Sequence, residues 1–187
     1  MAQVKTATLE DLALVDSPAE LVDGRIEHMS PTGFMPNYAA MKITMSLAAY
    51  AEKTRSGYAV TDGAGFVINL PKRETVSPDA AFYTGLNTGM RFLEGAPVFA
   101  VEVRSQGDYG ARAEKKIIAK RLDYFMAGTL VVWDVDLQSA DVVRSYSSSD
   151  PENPVVYRRG DRASAELAVP GWTVKVDDLF PYMTRPA

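Results

Sequence analysis

The stretch Val98-Phe99-Ala100-Val101-Glu102-Val103 is apolar at every position except Glu102, and residues 130–135 repeat the pattern with Asp134 as the one polar residue. A strand that is apolar on both faces belongs inside a sheet that is covered on both sides. Between the two runs lies a helical pattern from Arg112 to Ala127, closed by Gly128 in the position favoured just past a helix end. With the strands and helix read elsewhere in the chain, this order predicts an α/β or α+β layer fold around one mixed sheet. At 187 residues the chain suits a single domain that buries roughly 70% of its unfolded surface.

The remaining elements follow from local signals. Thr8 opens a short helix, with Asp11 three residues later as a capping-box variant and Leu9, Leu12 and Val15 as its apolar positions. Residues 21–29 read as two short strands around the Asp23-Gly24 turn. From Asn37 to about Thr54 the spacing of Met41, Met45 (or Ile43, Leu47), Ala48 and Tyr50 fits an amphipathic helix. Further strands are expected at residues 58–61, 65–70, 77–83, 142–146, 155–158 and 172–176.

Composition restricts the chemistry. The chain has no cysteine and one histidine, His28, which removes thiol nucleophiles, cysteine-held metals and histidine-rich zinc centres. Carboxylates, lysines, hydroxyls and hard cations remain. The net charge of −4 argues against a strongly basic nucleic-acid coat but leaves room for a local basic face. Five basic residues, Arg112, Lys115, Lys116, Lys120 and Arg121, face one acid, Glu114, along the second long helix. They form either a solvated face or a ridge that meets phosphates. No targeting signal and no apolar run approaching ~20 residues is visible, so the expected location is the cytoplasm, with no membrane partner.

Two acids sit where acids are expensive. Asp79 follows Pro78 and opens the apolar run 80–83, and Glu102 interrupts the run 98–103. Each could be a buried acid matched to an arginine. Asp79 precedes Glu102 by 23 residues, one strand plus a connection, so the two can meet on neighbouring strands. Glu102 and Arg104, two apart, share a strand face. Paired carboxylates at adjacent strand ends suit a hard cation such as magnesium, which polarises phosphate and activates water.

Pro78-Asp79 followed by Glu102-Val103-Arg104 resembles the PD-(D/E)XK motif of restriction-endonuclease-like nucleases. The segments 19–26, Met29-Ser30-Pro31, 99–105, 120–129, 132–136 and the stretch from Pro170-Gly171 to Phe180 resemble the Uma-two family within that superfamily, over about residues 8–181. The resemblance implies that Asp79 and Glu102 ligate Mg2+ or Mn2+, with the Val103 carbonyl as a third ligand. Glu20 would complete the cluster or orient water; its alternative is a solvated residue ahead of a hairpin. The superfamily's lysine, two residues past the glutamate, is here Arg104, which can bind phosphate but cannot act as a base. Lys120 is the position that matches the family's displaced lysine. A helical wheel puts it at the edge of the stripe Ile118, Leu122, Phe125 and Met126, where it reaches the site or snorkels at the surface. Where many relatives carry a Glu-His pair, this chain has Asn37-Tyr38.

The expected fold is therefore α/β, with a restriction-endonuclease-like core over about residues 19–181 of one domain spanning 1–187. A mixed sheet is flanked by helices and carries an N-terminal hairpin and a C-terminal β-extension. The expected activity is magnesium-dependent endonucleolytic hydrolysis of DNA. The alternative is a catalytically degenerate nuclease-like domain that binds DNA or protein. DNA is the expected partner, a homodimer is open, and no redox cofactor is expected.

Overall fold

The structure is a computed structural model in which residues 6–182 are described. The first five residues, part of the stretch read for a targeting signal, lie outside them. In chain order the elements are α1 (Leu9–Ala13), β1 (Ala19–Val22), β2 (Arg25–His28), α2 (Phe34–Thr54), β3 (Tyr58–Thr61), β4 (Phe66–Leu70), β5 (Arg73–Val76) and β6 (Ala80–Tyr83). They continue as β7 (Leu93–Glu94), β8 (Phe99–Val103), α3 (Ala111–Met126), β9 (Val131–Val135), β10 (Val143–Ser147), β11 (Asp150–Tyr157), β12 (Arg162–Ser164), β13 (Thr173–Lys175) and a 3-10 turn, Val176–Leu179.

The central sheet has six strands in the order β11-β10-β9-β8-β6-β3. The two apolar runs are its inner strands β8 and β9, which pair in parallel, as their connection through α3 requires. All other pairings in this sheet are antiparallel. The hairpin β1–β2, the small sheet β5-β4-β7 and the ribbon β12–β13 decorate it.

Strand alternation assigns the two faces. Phe82, Phe99, Val101, Val131, Trp133 and Val135 pack with Ile43 and Leu47 of α2 and with Trp172, Val174 and Leu179 of the C-terminal extension. Trp133 is fully buried, its ring centroid 5.0 Å from Phe99 and 5.4 Å from Trp172. Truncating such a residue typically costs about 3–5 kcal/mol. The opposite face, Ala81, Tyr83, Ala100 and Val132, packs with Phe66 and Val76 and with Tyr124 of α3.

Both long helices correct the sequence reading. α2 starts at Phe34 rather than Asn37, because Pro36 falls in the first turn, where a backbone N–H has no intrahelical partner. Its buried line is Ile43 and Leu47, while Met41 and Met45 face outward. On α3 the expected apolar stripe is largely exposed, with Ile118 at 43%, Leu122 at 42% and Met126 at 68% accessibility. The buried positions of α3 are Arg121 and Tyr124, with Lys120 beside them. Polar groups take the inward face of this helix, so an apolar count cannot find it.

Candidate active site at the end of the central strands

The register of β6 against β8 sets Ala80 opposite Val101, so Asp79, one residue before β6, falls beside Glu102 at the end of the sheet. The Asp79 backbone N–H donates to the Val101 carbonyl at 3.0 Å. Its carboxylate Oδ2 accepts from the Val103 N–H at 2.5 Å. Asp79 and Val103 are thereby fixed to one another.

Glu102 faces α3. Lys120 Nζ donates to its Oε2 at 3.0 Å, and the Tyr124 hydroxyl, one helical turn on, donates to its Oε1 at 2.6 Å. The same ammonium lies 2.9 Å from Glu20 Oε1 on β1. Glu20 is itself pinned: Oε1 accepts from the Ser77 N–H at 2.8 Å, and Oε2 accepts from Arg73 Nη1 at 2.8 Å. Arg73 turns its Nε to Asp123 at 2.7 Å. β1, β5, β6, β8 and α3 thus bring Glu20, Asp79, Glu102 and Lys120 together. Sequence reasoning missed Arg73, and it set Tyr124 beside Lys120 on the helical wheel without giving it a role. Tyr124 carried a usable signal, four residues after Lys120 on one helix face.

The electrostatics are lopsided. Burial, reinforced by Glu102, pushes the Asp79 carboxyl up from 3.8 to about 7, against the opposing pull of the Val103 N–H and Lys120. Burial also raises Glu102, and Lys120 offsets only part of that. For Lys120 burial favours loss of the proton, but Glu102 and Glu20 outweigh it and hold the ammonium charged. Asp79 has no cation within ion-pair distance among the described residues. It opens instead on a cleft of about 200 Å3 beside α2, lined by Asn37, Met41, Thr44 and Asp62 among others.

This donor set fits a hard cation in part. Asp79, whose proton affinity Glu102 raises, and Glu102 itself offer oxygen ligands, and a cation would relieve the repulsion between them. Glu20 accepts from Ser77, Arg73 and Lys120, and Glu102 likewise from Lys120 and Tyr124, so each keeps only part of its lone-pair capacity for a cation. Among the described residues no group of three His, Cys, Asp or Glu side chains converges as a metal site.

Arg104 also departs from expectation. It leaves the same sheet face as Glu102, yet its guanidinium is held by Asp134, through Nε at 2.7 Å and Nη2 at 2.6 Å, and by Glu114 of α3. A fork satisfied by two carboxylates has little left for phosphate. Of the expected basic ridge, Lys120 is turned into the acid cluster and Arg121 is buried with its guanidinium 3.6 Å from the Tyr146 ring centre. Arg112, Lys115 and Lys116 remain exposed. His28 Nδ1 pairs with the Ser17 hydroxyl at 2.9 Å.

Comparison with known proteins supplies the family. The Uma2 family, described as "Putative restriction endonuclease", matches residues 8–177. The chain belongs to the Uma2 family. A search of curated proteins returned no match. Among solved structures, a "putative nuclease" of Anabaena variabilis superposes with a TM-score of 0.72 at 15% identity, covering 92% of this chain and 97% of that one. That likeness shows the shared fold: this Uma2 chain has the same mixed sheet flanked by helices. Within the Uma2 match lie Glu20, Asp79, Glu102 and Lys120. Among the described residues of this Uma2 protein no helix is long and apolar enough to cross a membrane.

Proposed function

We propose that the protein is an endonuclease that hydrolyses DNA phosphodiester bonds with Mg2+ or Mn2+. The observation that carries this reading is the convergence of Asp79, Glu102 and Lys120 at one end of the inner strands, joined by the 2.5 Å contact of Asp79 with Val103 and the 3.0 Å contact of Lys120 with Glu102. Asp79 and Glu102 hold the cation, with the Val103 carbonyl as a third donor. When bound, a divalent cation polarises a phosphate oxygen and lowers the pKa of water at neutral pH.

The chain's own groups do the rest. Lys120 remains protonated between its two acids, so it acts as a fixed positive charge for the phosphate and not as a base. Glu20 positions Lys120 and completes the acid cluster around it. Tyr124 orients Glu102 by donating its hydroxyl proton to Oε1. Arg104 anchors β8 to β9 and α3.

With Mg2+ or Mn2+ the purified protein is expected to nick or cut plasmid DNA, and Asp79→Ala and Glu102→Ala are each expected to abolish this. Cleavage that survives both substitutions sinks the assignment. One observation favours a second reading, a nuclease-like domain that binds DNA or protein without cutting: Lys120 is already neutralised by two carboxylates. Calorimetric titration separates the two, since the second reading requires no Mg2+ or Mn2+ binding up to the millimolar range.

A further inference from the structure

We propose that a basic cleft between α2 and the C-terminal extension binds a backbone phosphate of the DNA strand being cut, a few nucleotides from the scissile bond. This rests on the nuclease reading for its substrate and on separate residues for its site. The cleft, of about 300 Å3, is lined by Lys42 of α2, Arg162 of β12 and Lys175 of β13, with Asp178 as its one carboxylate. Among the described residues none of the three cations has a carboxylate within ion-pair distance. The neighbouring Asp177 is taken by Arg159. Arg162 is oriented by Thr173, whose Oγ1 accepts from Nε at 3.0 Å and from Nη2 at 2.8 Å.

The position of this cleft relative to Asp79 is what gives it meaning. Met45 lines both this cleft and the one onto which Asp79 opens. At 3.6 residues per turn, Asn37, Met41, Thr44 and Ala48 fall on one side of Met45 around the helix, and Lys42 and Ser46 on the other. The two clefts therefore flank a single side-chain ridge and lie about 10 Å apart, one helix width. At a rise of about 3.4 Å per nucleotide, that span corresponds to roughly three steps along a strand.

The chain as a whole is acidic, at −4, so three cations gathered beside the cleft of Asp79, with Asp178 as the one lining acid and no ion pair among the described residues, are a local exception. The exposed bases of α3, by contrast, line neither cleft. The route of the strand is thus along α2 and the C-terminal ribbon, and the α3 ridge is not required.

The test compares two triple variants in the full chain, K42Q/R162Q/K175Q and R112Q/K115Q/K116Q, with circular dichroism melts to confirm folding. Binding of a fluorescent oligonucleotide is followed by anisotropy without divalent cation across a salt series, and hydrolysis of the small diester bis(p-nitrophenyl) phosphate is followed with Mn2+. The first triple is expected to bind about 10-fold or more weaker, with a salt slope reduced by about one, while the second keeps the wild-type slope. The first triple should also cleave the small diester at the wild-type rate, because that substrate cannot span the ridge. Wild-type affinity and slope in K42Q/R162Q/K175Q overturn the inference, as does a larger loss in the α3 triple. If the wild type binds through the three cations but cleaves neither substrate, the nuclease reading fails and the phosphate site stands.

Discussion

Two partly buried cations stand on the same face of the central sheet, and their surroundings differ in one respect. Arg104 faces two carboxylates, Asp134 and Glu114, and every nitrogen of its guanidinium is engaged. Lys120 also faces two carboxylates, Glu20 and Glu102, but a third acid, Asp79, sits alongside with no ion-paired cation among the described residues. The first cluster is closed: it straps β8 to β9 and to α3. The second is open on the side of the cleft, and around Lys120 it holds two more acids than cations, against one more around Arg104. Burial alone does not separate the two clusters; an acid that faces a cleft without an ion-pair partner among the described residues does.

The largest effect separating the two clusters is expected from Lys120→Met against Arg104→Met. Either substitution strands buried acids and is expected to cost about 3–5 kcal/mol of stability. At about 2–4 °C per kcal/mol that is a loss on the order of 10 °C in melting temperature. Activity is where they should part. Lys120→Met is expected to lower DNA cleavage by 100-fold or more, on the scale of about 10²–10³ for removing a group that stabilises transition-state charge. Arg104→Met, assayed well below its melting point, should retain activity within about 10-fold of wild type. Equal losses of activity in both variants would erase the distinction between the clusters.

A smaller effect, opposite in sign, is expected at Asp79. Its folded pKa, about 7, lies above the unfolded value of 3.8, so between these values the folded chain holds a proton that the unfolded chain has released. Stability associated with this group is therefore present below about pH 4 and is lost as the pH rises through 7. The difference is worth at most about 4 kcal/mol. Asp79→Asn is accordingly expected to melt several degrees higher than wild type at pH 8, with the gap closing toward pH 5, while being inactive. Millimolar Mg2+ should raise the wild-type melting temperature at pH 8 and leave the variant unmoved. A variant less stable than wild type at pH 8 would show that Asp79 is a structural acid.

The contrast also explains which parts were legible in the sequence. Glu102 and Asp79 stood out because an acid among apolar strand residues has few bland explanations, and β8 and β9 because runs apolar on both faces are rare outside sheet interiors. Lys120 came from the family resemblance; the wheel placed the apolar stripe of α3 on the face that turned out exposed, since Lys120, Arg121 and Tyr124 occupy the inward side. The partners of Arg104 lie 30 and 10 residues away, and no local pattern ties them to it. β5, β7 and β12, of four, two and three residues, were not foreseen, because strands that short are set by their neighbours and not by their own pattern. Arg73, on one of these strands, was invisible for the same reason, although it holds Glu20 in place.

The smallest effect belongs to the outer arm of the closed cluster. Glu114 has a side chain 44% exposed, whereas Asp134 across the guanidinium is 5% exposed. The hydrogen bond from Arg104 holds the Glu114 carboxyl below its ordinary range, so its contribution is present above the unfolded pKa and is lost as the pH falls through the lower folded value. Solvent screens a pair this exposed, which limits that contribution to about 1 kcal/mol or less. Glu114→Gln is therefore expected to lower the melting temperature by no more than about 4 °C at pH 7, with the difference shrinking as the carboxyl becomes protonated at acid pH and no change in cleavage. Asp134→Asn leaves the guanidinium without its buried partner and should cost several times more. If the two variants proved equally mild, Arg104 would be a free cation in practice, available to phosphate after all, and the division between a closed and an open cluster would fail at its closed end.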